Sequence, residues 1–192
     1  MPLTPKPTVA HENELQLLSP SPFVKKYGRQ MVDGARGLPI LDVACGGGRN
    51  AAYLAHLGGR VTCIDIEMSY LKSRQGSSEF KIFKAAFAVL NTVQLDLIEE
   101  TWPFAKASVG AIINVHFLHL PILDRFASTL VSGGYLLIET VDARGGNYRA
   151  LPRPGKIRSL LEPEIDFLVY QEREIRRGDL KAATVKVFGQ KR

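Results

Sequence analysis

Acidic side chains and a glycine-rich turn are the residues of this chain whose types and spacing could bind a ligand. An apolar run that carries Asp42 leads directly into three consecutive glycines, in the stretch ILDVACGGGRN. Such a turn exposes backbone amides at the end of a strand, a geometry that binds nucleotide-bearing cofactors. Gly46, Gly48 and Ala51 satisfy the pattern G-x-G-x-x-G/A, which many unrelated nucleotide sites share. Asp65 follows at the distance where a carboxylate can accept both hydroxyls of a ribose.

The charge of Asp42 separates the two cofactors that fit this pattern, NAD and S-adenosylmethionine. A carboxylate four residues before the first glycine repels a diphosphate and attracts the ammonium group of a methionine moiety. Asp96, in QLDL at the end of a predicted strand, adds an acceptor for an adenine amino group. The charge therefore favours S-adenosylmethionine. Each acid also has a structural alternative: Asp42 could accept from the turn's backbone amides, Asp65 could cap the next helix, and Asp96 could be purely structural.

Two histidines are the candidates for proton transfer. His116 and His119 follow the fourth predicted strand, at the edge where open α/β sheets bind ligands. A histidine that titrates near neutrality can take a proton from an oxygen or nitrogen acceptor; the alternative is a hydrogen-bonded structural role. Their spacing suits two metal ligands on a helix, but no third ligand is in sight, and we expect no metal. Tyr148 and Arg149, in a glycine-rich loop, could close over a substrate or lie on the surface.

The elements that must position these residues alternate between strands and helices. Short apolar runs at LPILDVA, RVTCIDI, TVQLDLI, SVGAIINVHF and GGYLLIETV predict five strands. Two further runs, IDFLVYQEREI and KAATVKVFGQK, alternate in period two around RRGDL, which is typical of a hairpin. The sequence therefore predicts a Rossmann-like three-layer α/β sandwich, with a mostly parallel seven-stranded sheet and a C-terminal antiparallel hairpin.

Capping signals and helical spacing place the helices between these strands. Ser21 is the predicted N-cap of the first helix, Pro22 its first residue, and Asp33-Gly34 its end. Further helices are predicted at NAAYLAHL, EMSYLKSR, EFKIFKAAFAVLN, PILDRFASTLV and from residue 155 to 161.

Length and composition indicate one domain of an ordinary globular protein. Of the 192 residues, we expect 1–20 to form a mobile arm and 21–192 the domain. Cys45 and Cys63 fall in predicted core elements, which indicates buried thiols. The chain has no long apolar run and no secretory signal, so we expect a cytoplasmic protein that does not engage a membrane.

The charge of the chain bears on its partners. The net charge of +6 could attract nucleic acid, a membrane surface or an anionic substrate. Because the basic residues are scattered along the chain, solvated faces are favoured over a nucleic-acid track.

Taken together, these motifs resemble those of class I S-adenosylmethionine-dependent methyltransferases. LDVACGGGRNAAYLA is similar to the family's first motif, LD-x-x-C-G-x-G-R. FLHLPILDRFASTLVSGGYLLIET and LPRPGKIRSLL resemble the small bacterial methyltransferases of the tellurite-resistance type. The stretch Lys72–Asn91 is longer than this family usually has between its second and third strands.

The resemblance implies roles for individual residues. Ala44 to Gly48 would wrap the methionine end, Asp65 would hold the ribose, and Asn114 would lie beneath the sulfonium. Asp96 and Leu97 would bracket the adenine. Arg49 would belong to the helix start or pair with Asp42 or the cofactor carboxylate. The implied cofactor-binding set is Asp42, Ala44, Cys45, Gly46, Gly48, Arg49, Asn50, Asp65, Ile66, Asp96, Leu97 and Asn114, with His119 and His116 as candidate catalytic residues.

The expected reaction is direct, in-line methyl transfer from S-adenosylmethionine to a small acceptor. The sulfonium already activates the methyl group, so the protein mainly aligns the two reactants, an effect worth about 7–11 kcal/mol. The alternatives are an RNA or other nucleic-acid methyltransferase that uses the basic surface, an NAD-dependent dehydrogenase, and a cofactor-binding protein without turnover. The sequence NVHFLHLP after the fourth strand lacks the Asn/Asp-Pro-Pro-aromatic pattern typical of enzymes that methylate base amino groups.

Overall fold

The computed structural model describes residues 19–76, 84–140, 151–177 and 180–192. Most of the predicted N-terminal arm, as well as Tyr148 and Arg149, lies outside these ranges. The described helices are all too short or too polar to cross a bilayer.

Seven strands form one sheet in the order β3-β2-β1-β4-β5-β7-β6. All neighbours are parallel except the pairs that involve β7, which is antiparallel to both β5 and β6. The predicted architecture, including the C-terminal hairpin, is thereby confirmed. The strands are β1 Ile40–Val43, β2 Val61–Asp65, β3 Asn91–Gln94, β4 Val109–Val115, β5 Leu130–Glu139, β6 Ile165–Arg177 and β7 Leu180–Lys191.

Helices cover both faces of the sheet and bury two apolar clusters. One cluster joins α1, α2 and α3 to the sheet, and the other joins α5 and α6 to the opposite face. Cys45 and Cys63 are buried free thiols in the first cluster, as predicted. The helices are α1 Pro22–Ala35, α2 Arg49–His56, α3 Ser69–Gly76, α4 Lys84–Ala88, α5 Leu123–Thr129 and α6 Lys156–Leu161, with a 3₁₀ turn at Leu120–Ile122.

The start of α1 is capped as predicted, but its end is not where the sequence indicates. The Ser21 hydroxyl accepts a hydrogen bond from the Phe23 amide at 3.1 Å. The helix continues through Asp33 and Gly34 to Ala35, and the left-handed Arg36 ends it. A side chain at Gly34 would collide with the Tyr135 ring, so this glycine makes room for packing against the sheet and does not end the helix.

Other element boundaries also differ from the prediction. β3 ends at Gln94, so Asp96 follows the strand and does not lie in it. The helix predicted at PILDRFASTLV ends at Thr129, and Leu130 already begins β5. In EFKIFKAAFAVLN, only Lys84–Ala88 is helical in the part that the structure describes.

The chain order reverses beside β1. From β1 the chain proceeds to β2 and β3 on one side, and β4 then pairs with the other side of β1. At such a switch point the connections diverge and leave a crevice at the carboxyl ends of the strands. The predicted site residues follow these carboxyl ends.

The hairpin projects past the carboxyl end of β5. β5 pairs with β7 only along Tyr135–Glu139, opposite Lys186–Gln190. Residues 180–185 of β7 continue instead as a partner of β6 alone within the sheet. The hairpin therefore forms a wall beside the crevice.

Candidate functional site

The glycine turn between β1 and α2 is built on left-handed backbone. Ala44, Gly46 and Gly48 have φ of 56°, 52° and 72°. A left-handed conformation is strained for a residue with a Cβ, and such strain concentrates at functional sites, so Ala44 is the notable position. A Cβ added at Gly46 would meet no atom within 4 Å, which leaves its backbone open to a ligand.

Asp65 supports this turn from the end of β2. Its Oδ2 accepts a hydrogen bond from the Gly46 amide at 2.8 Å, and its Oδ1 accepts from the Glu67 amide at 3.1 Å. The carboxylate is partly exposed, so its remaining lone pairs are open to a ligand's hydroxyl groups. The structure thus places Asp65 against the turn, where it has structural contacts, and ribose binding by Asp65 stays a prediction.

Asp42 is a buried carboxylate with an unused oxygen. Its side chain is 1% exposed, and Oδ2 has no hydrogen-bond partner in the described part of the chain. Burial raises the pKa of Asp42 to about 7, against the lowering effect of a hydrogen bond from the Ala51 backbone. This buried oxygen is therefore open to a donor from a bound ligand.

Asn114 lies at the end of β4 with its side chain on the other face of the sheet. The register pairs Asp42 with Ile113 and Val43 with Asn114, so the Asp42 and Asn114 side chains point to opposite faces. The Asn114 amide donates to the Val43 carbonyl at 3.0 Å, and its Oδ1 has no partner among the described residues.

The first two residues of α2 contact the segment that leads into α1. Arg49 donates to the Ser19 carbonyl at 3.4 Å, and the hydrogen bonds and ion pairs of the described residues include none from Arg49 to Asp42. Asn50 is buried and accepts from the Ser21 amide at 2.9 Å. These contacts tie the glycine turn to the start of α1.

Polar and apolar residues lie in the segments that follow β2 and β3. Asp96 Oδ1 accepts from the amides of Ile98 and Glu99 at 2.9 and 3.2 Å, so one oxygen caps the turn that follows. Leu97 is 9% exposed, whereas Ile66, directly after β2, is 57% exposed. An exposed isoleucine at the crevice is a surface on which a flat ring can pack.

The two histidines lie in different depressions. His116 is exposed, has a φ of 66°, and donates its backbone N–H to the Glu139 carbonyl at 2.7 Å. It lines a cavity of about 510 Å³ beside the hairpin. His119 lines a separate depression of about 250 Å³ with Trp102. The three-residue spacing therefore does not bring both side chains to one site.

Sequence reasoning missed the polar residues that connect the turn to this cavity. Glu139 is 6% exposed; its Oε1 pairs with the Lys186 ammonium at 2.7 Å and its Oε2 accepts from the Ser21 hydroxyl. Together with the Ser21–Asn50 contact, this makes a polar chain from α2 to β7. The sequence does contain one signal for this polar chain, the acidic residue Glu139 within the apolar run GGYLLIETV. Within the described ranges, no group of three or more His, Cys, Asp or Glu could hold a metal ion.

The comparisons with known proteins concern the family and the fold of the chain. A family model described as a methyltransferase domain matches residues 41–138. No match was found among curated protein sequences.

Solved structures share the fold. TehB from Haemophilus influenzae has 21% identity and a TM-score of 0.57 over 88% of this chain and 66% of that one, so this chain spans slightly less than two thirds of TehB. The tRNA (m1A58) methyltransferase TrmI from Aquifex aeolicus has 13% identity and a TM-score of 0.58, over 97% and 77% of the two chains. The 1,6-didemethyltoxoflavin-N1-methyltransferase from Burkholderia thailandensis, solved with 1,6-didemethyltoxoflavin and S-adenosylhomocysteine, has 17% identity and a TM-score of 0.52, over 99% and 93%.

Proposed function

Because the chain belongs to the methyltransferase domain family and is an S-adenosylmethionine-dependent methyltransferase, we propose that it transfers the methyl group directly to a small-molecule acceptor. The observation that carries the acceptor class is the cavity beside His116. Its volume of about 510 Å³ lies in the range of small-molecule sites, which is roughly 300–1,000 Å³.

The residues around the glycine turn fit this cofactor. The unpartnered Oδ2 of Asp42 offers the negative charge that a methionine ammonium group needs. The space above Gly46 lets the cofactor approach the backbone closely. When bound, S-adenosylmethionine supplies a methyl group that its positively charged sulfur has already activated.

The methionine and ribose parts of the cofactor are assigned to the residues of the turn and to Asp65. Ala44 to Gly48, including Cys45, wrap the methionine end, and Arg49 faces its carboxylate. Asp65 accepts from the ribose hydroxyls with the oxygen lone pairs that its two backbone contacts leave open.

The adenine end has a separate set of residues. Ile66 and Leu97 supply the apolar surfaces, and the second oxygen of Asp96 accepts from the amino group. Asn50 and Asn114 act indirectly, since Asn50 binds Ser21 and Asn114 holds the carbonyl of Val43 just before the turn.

We assign the role of proton acceptor to His116 and not to His119. His116 is exposed at the cavity, and its left-handed backbone is fixed by the bond to the Glu139 carbonyl. The His116 imidazole would take the proton that the acceptor atom loses when it is methylated. His119 lines the other depression and faces no part of this cavity.

Two features support placement with the small bacterial methyltransferases of the tellurite-resistance type. The first is the extended motif LDVACGGGRN, and the second is the fold shared with TehB. The alternative is a nucleic-acid acceptor, which the net charge of +6 favours. The fold shared with a tRNA methyltransferase is compatible with it.

Calorimetric titration with S-adenosylhomocysteine tests the cofactor assignment. We expect Asp65→Ala to weaken binding by about 1–3 kcal/mol, because a charged acceptor is lost. Asp65→Asn keeps an oxygen for the Gly46 amide and separates support of the turn from ribose binding. Asp33→Ala, at an exposed acid of α1, is the matched control and should bind like the wild type. Tighter binding of NAD, or unchanged affinity in Asp65→Ala, would refute the assignment.

A further inference from the structure

The hairpin presents one continuous polar face to the cavity. On β7, Lys186 is in register with Glu139 of β5 and with Gln171 of β6, and Thr184 is in register with Arg173. Paired residues share a face, and so do alternate residues of one strand, so these five side chains lie on the same face of the sheet. All five line the cavity.

This face is also the one that carries Asp42. The α1–α2 side of the sheet holds Ile113, the register partner of Asp42, and Val115, the register partner of Glu139. Two steps between neighbouring strands separate β1 from β5, which is about 10 Å. These five side chains of the cavity therefore lie on the same side of the sheet as the proposed methionine end of the cofactor.

The first carboxylate of the cavity, Glu139, is buried, and each of its oxygens has a partner within the protein. One oxygen of Glu139 pairs with Lys186 at 2.7 Å, and the other accepts from Ser21. The Lys186 ammonium also lies 5.6 Å from the centre of the Phe23 ring, which holds it in place. One of its three N–H donors is used by Glu139, and the side chain is 43% exposed, so the others are available to the cavity.

The second carboxylate that lines the cavity, Glu172, is in register with Val185 on the opposite face, and it is also satisfied within the protein. Both oxygens of Glu172 accept from the Gly155 amide, at 3.0 and 3.1 Å, and one also accepts from the Tyr170 hydroxyl at 2.6 Å. By contrast, no hydrogen bond, ion pair or ring contact among the described residues engages the exposed Arg173 guanidinium. The cavity wall thus offers the five donors of Arg173 and the spare donors of Lys186, while its acids are occupied.

We propose that this cavity recognises an acceptor molecule by an anionic, oxygen-rich group, a carboxylate or a phosphate, which Arg173 and Lys186 bind while His116 faces the methylated atom. The inference rests on the proposed function, because it takes the cavity as the acceptor site. A planar guanidinium matches the two oxygens of such a group in a bidentate contact, and an ammonium adds a point charge.

The test uses simple probes on protein saturated with S-adenosylhomocysteine. Benzoate and benzamide differ only in the anionic group, and inorganic phosphate distinguishes a phosphate site from a carboxylate site. We expect calorimetry or NMR titration to show benzoate or phosphate binding at least tenfold tighter than benzamide. Arg173→Gln should weaken the preferred anion about tenfold, and Arg173→Lys should weaken it less. Lys106→Gln removes the same charge near the opposite, amino-terminal edge of β4 and should bind like the wild type.

The outcomes distinguish a failure of this inference from a failure of the proposed function. If S-adenosylhomocysteine fails to bind, the proposed function fails and the inference falls with it. If it binds, but benzamide binds as well as both anions or none of the probes binds, the anionic site alone is disproved. Unchanged anion affinity in a folded Arg173→Gln protein would likewise remove Arg173 from the site.

Discussion

At the scale of single residues, the protonation of Asp42 links folding to cofactor binding. Because burial raises the pKa of Asp42 to about 7 from an ordinary value of 3.8, the folded free protein holds a proton there that the unfolded chain has lost. Between these two pH values, the contribution of Asp42 to stability therefore falls as pH rises. A cofactor ammonium favours the charged carboxylate, so binding should release this proton below pH 7.

The corresponding prediction is a pH dependence of cofactor affinity. The association constant for S-adenosylhomocysteine should rise by at most about tenfold per pH unit up to pH 7 and then level off. Asp42→Asn should bind more weakly above pH 7 and lose this slope. Calorimetry from pH 5.5 to 8, in buffers of different ionisation enthalpy, measures both affinity and proton release. A slope that persists in Asp42→Asn would assign the titration to another group.

The pair Lys186–Glu139 permits a second prediction at this scale. Lys186→Met leaves the buried Glu139 carboxylate without its cation, and we expect a loss of about 1–3 kcal/mol in the free energy of unfolding, since the partly exposed lysine is screened by solvent. Glu139→Gln combined with Lys186→Met should recover most of this loss. Urea denaturation of both single variants and the double variant gives the coupling. Strict additivity would show that the two charges do not stabilise each other.

The geometry of the proposed cofactor side follows from the sequence more directly than that of the proposed acceptor side. Asp42, Gly46 and Asp65 lie within one βαβ unit, so their spacing along the chain already fixes their spacing in space. Glu139 and Lys186 belong to strands joined by a long connection, and only the register of β5 with β7 brings them together. No local pattern encodes that register.

At the scale of elements, the contact between α1 and β4 depends on one glycine. A Cβ at Gly110 would lie 2.6 Å from the Ala35 Cα and 2.7 Å from its carbonyl oxygen. The Ala35 backbone atoms cannot relieve this overlap by rotating, as the end of a flexible side chain can. The end of α1 can therefore rest on the sheet only where β4 has no side chain.

We therefore expect Gly110→Ala to destabilise the fold by about 1–3 kcal/mol, as overpacked cores do. Ala35→Gly in the same protein should restore only part of this loss, because it removes one of the three close atoms. Urea denaturation monitored by circular dichroism measures both effects. A Gly110→Ala protein as stable as the wild type would show that α1 can shift at no cost.

Element types were predicted more reliably than element ends, because types depend mainly on local sequence whereas ends depend on contacts with other elements. The central strands β1 and β4 are buried on both faces and appear as short apolar runs, which local sequence reveals. Their ends depend on tertiary neighbours: Gly34 stays helical because Tyr135 packs over it, and Leu130 joins β5 because β4 pairs with it.

At the scale of the whole molecule, the distribution of charge bears on the choice between the two proposed acceptor classes. The chain carries six more basic than acidic residues. Several of the basic residues are paired with acids in the structure, including Arg29 with Asp33 and Arg158 with Glu162. Paired charges at separate places produce a weak, patchy field, whereas a nucleic-acid track needs adjacent free cations.

The last prediction therefore concerns salt. If the acceptor is small, RNA binding should be weak at 150 mM salt, and log K should fall with log salt at a slope no steeper than about −2, which corresponds to two or three phosphate contacts on a single strand. Arg173→Gln and Lys106→Gln should alter that binding equally, because both remove one cation from a non-specific field. Filter binding with a single-stranded RNA between 50 and 200 mM salt measures the slope. A slope near −5, together with a selective loss in Arg173→Gln, would instead indicate that the hairpin face reads phosphates of a polynucleotide, and the acceptor would then be a nucleic acid.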